Sequence, residues 1–143
     1  MNFRILVALG MVASMTAGEV LAQACPTGTT RVSALTALIG NNTLCATRGA
    51  DRWQEYHQGN TSGPLIDWKQ GSPHPVDPTA TVGTFTLSNG SSSTLTHTYG
   101  GVSYTWLVCR VDVMPTVYTL IASGAGGTIA GATVRTGQVA CLP

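Results

Sequence analysis

The sequence predicts an all-β domain, an antiparallel meander of about eight short strands closing into a small barrel, with one short N-terminal helix. Three observations predict it. Runs rich in Thr, Val and Tyr are broken at short intervals by Gly, Asn, Ser and Pro, the composition of strands and turns. Two of those runs alternate cleanly. Leu95, His97 and Tyr99 interleave with Thr94, Thr96 and Thr98, and Phe85 and Leu87 interleave with Thr84 and Thr86. The Thr faces therefore point to solvent and the others to the core. Finally, no helical segment is long enough to cross between parallel strands, so neighbours join by hairpins, and closure removes the open edges.

The elements follow in order. "RVSALTALIGNN" (31–42) repeats Val32, Leu35, Leu38 and Ile39 at three to four residues, with Gly40 placed for a left-handed helix end. Strands are predicted at 43–48, 52–57, 65–69, 82–88, 94–99, 103–113, 117–122 and 132–140. "SNGSS" (88–92) and "GG" (100–101) are hairpin turns. "GSPHPVDPT" (71–79), with three prolines, is predicted as an ordered loop, and "SGAGGTIAG" (123–131) as a flexible one.

Residues 1–24 have the pattern of a cleaved signal peptide: Arg4, the apolar run Ile5 to Ala17, and the A-x-A site Ala22-Gln23-Ala24. Lipidation at Cys25 is the competing possibility. It fits less well, because Ala22 and Gln23 stand where an aliphatic and a small residue belong, and it would leave an odd number of cysteines. Removing 24 of 143 residues leaves 119, residues 25–143, one domain with a real core. No later segment reaches the ~20 apolar residues that spanning a bilayer needs. The predicted location is periplasmic or extracellular, where Cys25, Cys45, Cys109 and Cys141 form two disulfides. Connectivity is open in principle. Cys45–Cys109 with Cys25–Cys141 is favoured, because the second pair would join the loose termini. Only 9% of residues are charged, the formal net charge is +1, and there is no basic patch. Nucleic acid and anionic membrane are thereby poor partners.

The stretch "RWQEYH" (52–57) concentrates what chemistry the chain has. Alternation puts Trp53, Glu55 and His57 on one face. Trp53 is expected deep in the barrel, with Glu55 and His57 approaching the mouth, where water or a ligand satisfies them. Trp68, Tyr99, Tyr104 and Trp106 complete an aromatic set suited to a sugar or a small apolar ligand, though core filling explains the same residues. Glu55 and Asp67 on neighbouring strands could pair as in glycoside hydrolysis, but ordinary cross-strand charges account for them as well. His57, His74 and His97 lie far apart in sequence with no metal-ligand spacing. No nucleophile motif or phosphate-binding loop is present, so no catalytic residue, metal or cofactor is assigned. Asn41, Asn60 and Asn89 fit the glycosylation pattern, but in a bacterial-type exported chain they are expected to serve as turn residues.

The order of a short helix, "LIGNNTL", "RWQEY", a polar loop, "VGTFTL" and an aromatic strand ending in Cys resembles small exported bacterial domains of the calycin, or lipocalin-like, type. The resemblance covers residues 35–112. It implies a fold more than an activity; the Pro-rich loop and the Gly-rich last strands depart from the pattern. The expectation is a non-enzymatic binding or interaction module. Two alternatives stand beside it. One is a self-associating subunit that uses the uncharged stretch Met114 to Val134 as a strand edge. The other is a carboxylate-based hydrolase.

Overall fold

The structure is a computed structural model. It describes residues 23–49, 51–67, 70–71, 80–124 and 127–141, with the backbone alone for 51, 53, 70 and 71. The strands are β1 (Thr29–Arg31), β2 (Asn42–Arg48), β3 (Asp51–His57), β4 (Ser62–Asp67), β5 (Gln70–Gly71), β6 (Ala80–Leu87), β7 (Leu95–Tyr99), β8 (Val102–Val111), β9 (Val117–Ala122) and β10 (Thr128–Thr136), with one helix, α1 (Leu35–Ile39). Every ladder between them is antiparallel, and each strand pairs with its neighbour in sequence from β2 through β4 and β6 to β10. β10 returns to β2, with Thr133 opposite Cys45, and closes an eight-stranded barrel. β1 is an extra strand, set against β8 beyond the end of β7. The two-residue β5 pairs with the start of β3.

The interior follows from alternation. Leu44, Leu65, Phe85, Leu87, Leu95, Val108, Leu120, Ile129 and Ala132 are buried in one cluster with Leu35 and Ile39 of α1. The Thr faces lie outside, where Thr96–Thr105 and Thr98–Ser103 hydroxyl pairs link β7 to β8. Leu35 and Ile39 plug one end, which we call the closed end. The first turn of α1 takes its partner from the β6–β7 turn: the Thr36 amide donates to Asn89 Oδ1 at 3.0 Å. Asn41 Nδ2 donates to Asn60 Oδ1, so all three asparagines of the glycosylation pattern do turn and capping work here.

Some details differ from the sequence expectation. Gly40 has φ −58°, and Asn41 (φ 54°) takes the left-handed position. Gly40 is needed for space instead, since a Cβ there would stand 2.5 Å from Asn60 O. The stretch 123–131 is not all loop: β10 starts at Thr128 and buries Ile129, with a bulge before Ala132. In the uncharged stretch, β9 is paired on both sides, with β8 and β10, while β10 pairs with β9 through Ala132 and with β2 from Thr133.

The disulfides also differ: Cys25 joins Cys109 and Cys45 joins Cys141. Cys45 and Cys109 sit on β2 and β8, which β9 and β10 separate. Three strand spacings come to about 14 Å, far beyond the reach of a disulfide. Each outward-facing cysteine is covered by the terminal segment nearest to it. The C-terminal tail crosses β2 and β3, where Thr43 Oγ1 donates to Gly137 O at 2.6 Å and the Cys141 amide donates to Gln54 Oε1. Two disulfides, with no cysteine left free, fit an oxidising compartment. No helix among the described residues is long and apolar enough to cross a membrane. The cleavage site through Ala22, the side chain of Trp53, Trp68, Lys69 and the Pro-rich loop from residue 72, with His74, lie outside the described residues.

Candidate functional site

The β3 strand runs from the open end of the barrel to the closed one. Arg48 and Asp51 pair beside the β2–β3 turn, while the His57 carbonyl accepts the amide of Asn41 beside α1. The expected order along the strand is therefore inverted. Glu55 and His57 lie deeper than the backbone of Trp53, and they are buried, at 6% and 0% exposure, rather than wetted at a rim.

What satisfies them comes from β7, the strand whose alternation places His97 and Tyr99 inside. The Tyr99 hydroxyl donates to Glu55 Oε1. His97 Nδ1 lies 3.2 Å from Glu55 Oε2 and 3.0 Å from the Tyr99 oxygen. His97 Nε2 lies 2.8 Å from His57 Nε2, so one hydrogen bridges the two imidazoles. A continuous polar chain thus runs Tyr99–Glu55–His97–His57 from the open side into the core. His57 ends the chain edge-on to Phe85, with ring centroids 4.8 Å apart.

The chain titrates accordingly. Burial pushes the His57 imidazole down to about 3, with the charge of His97 acting in the same sense, so His57 is neutral. Burial alone would raise Glu55, but the charge of His97 and hydrogen bonds from His97 and Tyr99 outweigh it, and the carboxyl is held below its ordinary range. Burial, then the charge of Glu55, raises the Tyr99 phenol. Glu55 is thus a fixed acceptor. Asp67 is its direct partner across β3 and β4. A hydrolytic pair asks for one carboxyl with a raised pKa, and Glu55, held low, is not that acid.

Above this chain the wall opens. Leu95, His97 and Tyr99 face inward, and their register partners Trp106, Tyr104 and Val102 face the same way. Yet Tyr104 is 38% exposed and Val102 55%. The cause is that β9 stops short: its ladder with β8 ends at Trp106–Ala122, and beyond it the Ser123 amide and hydroxyl both donate to the Thr105 carbonyl. The start of β8 stands clear of β9. Tyr104 and Trp106 stack at 5.9 Å with 21° between their planes, and Tyr99 lies 6.1 Å from Tyr104. Gly83 makes room for Tyr99: a Cβ there would stand 3.2 Å from Tyr99 Cδ1 and would collide with the Thr98 carbonyl oxygen.

Of the expected site residues, Glu55, His57, Tyr99, Tyr104 and Trp106 are brought together. The residue that links them, His97, is legible in the sequence only as one more inward position of β7. Its pairing with His57 joins strands 40 residues apart and needs the closed barrel. Gly83 carries no sequence signal beyond being a glycine in a strand. No group of three or more metal-ligating side chains occurs among the described residues. Comparison of the chain with family models, with curated proteins and with solved structures finds no match in any of the three.

Proposed function

We propose that the chain is an exported, calycin-like barrel that binds a small ligand at its open end without acting on it chemically. The observation that carries this reading is the pair Val102 and Tyr104, which face inward and are nevertheless exposed. An aromatic ladder leads from them toward a polar chain whose members are hydrogen-bonded to one another, as in a preformed binding site. An eight-stranded antiparallel meander with a helix across one end supports the calycin-like assignment. The signal-peptide pattern and the two disulfides support export to the periplasm or beyond.

The test is a small-molecule screen at millimolar concentration, read by NMR shifts of the exported protein. Binders are expected to move Tyr99, Tyr104 and Trp106 together. No binder, or shifts confined to the closed end or the outer wall, would overturn the reading. Intact mass checks the export half, with an unmodified chain beginning at Cys25 as the expected species.

A further inference from the structure

We infer that the ligand taken at the open end is an uncharged, flat, aromatic molecule carrying a hydrogen-bond acceptor such as a carbonyl oxygen. This rests on the binding reading above and deepens it. Three observations narrow the class.

The first is a surplus donor. The Trp106 indole Nε1 is buried and has no acceptor among the described residues, in a residue only 7% exposed. A buried N–H is stabilised by gaining a partner and costs free energy without one. The other polar groups beside it are already engaged. Tyr99 donates to Glu55, both Glu55 oxygens accept, and both ring nitrogens of His97 have partners. The two other buried nitrogens without a partner sit elsewhere. Gln54 Nε2 lies under the C-terminal tail, and His57 Nδ1 belongs to the ring packed on Phe85 at the deep end of the polar chain. Among the described residues, the site therefore calls for one acceptor. A sugar, which brings many hydroxyls to satisfy, fits this inventory poorly.

Charge is the second observation. Glu55 faces His97, and Asp67 and Arg48 each have interactions of their own within the chain. Among the described residues an ionic ligand would lose its hydration without finding a buried counter-charge.

Shape is the third. Tyr104 and Trp106 stand two residues apart on β8 with rings 21° from parallel, and Tyr99 flanks them at 55°. Flat rings stack on such a ladder in the offset or edge-on arrangements that aromatic pairs prefer.

Four probes test it: coumarin (flat, neutral, with a carbonyl), naphthalene (the same shape without an acceptor), methyl glucoside and tetramethylammonium. Binding is followed by NMR shifts on the parent and on Trp106→Phe and Tyr104→Ala. Coumarin should bind about 3–10-fold more tightly than naphthalene, the worth of one hydrogen bond. Trp106→Phe should erase that difference, and Tyr104→Ala should weaken both flat probes. If Trp106→Phe does not fold, the parent's indole N–H resonance decides: a downfield shift with coumarin and none with naphthalene is expected. Should glucoside or the ammonium bind best, or coumarin keep its advantage in Trp106→Phe, the inference falls while the binding reading stands. Should none of the four bind, the inference falls, and the small-molecule screen alone decides the binding reading.

Discussion

Leu35, Ile39, Leu65 and Leu95 at one end of the barrel and Val102, Tyr104 and Tyr99 at the other all face the same interior. Those at the helix end are buried, whereas Val102 and Tyr104 are exposed and Tyr99 is half-buried. The difference lies in how each end is finished. At the helix end, α1 lies across the opening and turn residues such as Asn89 and Asn41 bind its backbone and its flanks. At the open end, β8 outruns β9, and no described element caps it. Stability is concentrated at one end, and accessible surface is kept at the other. Between them, the Tyr99–Glu55–His97–His57 chain marks the level at which polar groups must find partners inside the protein rather than in water.

The largest effect should come from the closed end. Leu35→Ala is expected to cost about 3–5 kcal/mol, as deletions of fully buried leucines do. Chemical denaturation measures it, and a loss under about 1 kcal/mol would mean that α1 is not the plug.

The polar chain should give the next largest effect, visible as a pH dependence. His57 titrates at about 3 folded against an ordinary 6.5, so the unfolded chain binds the extra proton first as pH falls. Stability should be level above about pH 6.5 and should decline steadily toward pH 3, with the lowered Glu55 adding to the decline below 4.5. Denaturation midpoints across this range check it. His57→Phe should flatten the slope between pH 6.5 and 4.5; an unchanged slope would assign it to other groups.

Gly83→Ala probes the boundary between the two regimes. Its Cβ has no room beside the Thr98 carbonyl, so the β6–β7 ladder must shift, at about 1–3 kcal/mol. Tyr99 should move with it in NMR spectra, and a silent substitution would mean that this wall is slack. Tyr104→Ala should have the smallest effect on thermal unfolding, within about 1 kcal/mol, because the ring is already partly in water.

Which of these features can be read from sequence follows from the range of the cause. Alternation acts over two residues, so the inward Leu95, His97 and Tyr99 and the outward threonines are legible in the order of residues alone. So is the shared face of Glu55 and His57. The direction of β3 is not, since a period of two says which side a residue faces and nothing about which end of the barrel it nears. The three-residue β1 carries no pattern, and Ile129 is hidden among glycines because a bulge interrupts its strand. Disulfide pairing depends on which wall each tail crosses, a property of the closed barrel alone.

The two disulfides have a mechanical consequence. They fuse Cys25 with Cys109 and Cys45 with Cys141, which makes two covalent nodes joined by three arms: residues 25–45, 45–109 and 109–141. If the chain is pulled at Cys25 and Cys141, tension runs between the nodes, and the shortest arm, 25–45, becomes taut first and limits the extension. The longest arm holds β3, β4, β6 and β7, and with them Glu55, His57, His97 and Tyr99. That arm stays slack under any load the short arm can bear, so force applied at the anchored ends is diverted around the strands that carry the polar chain.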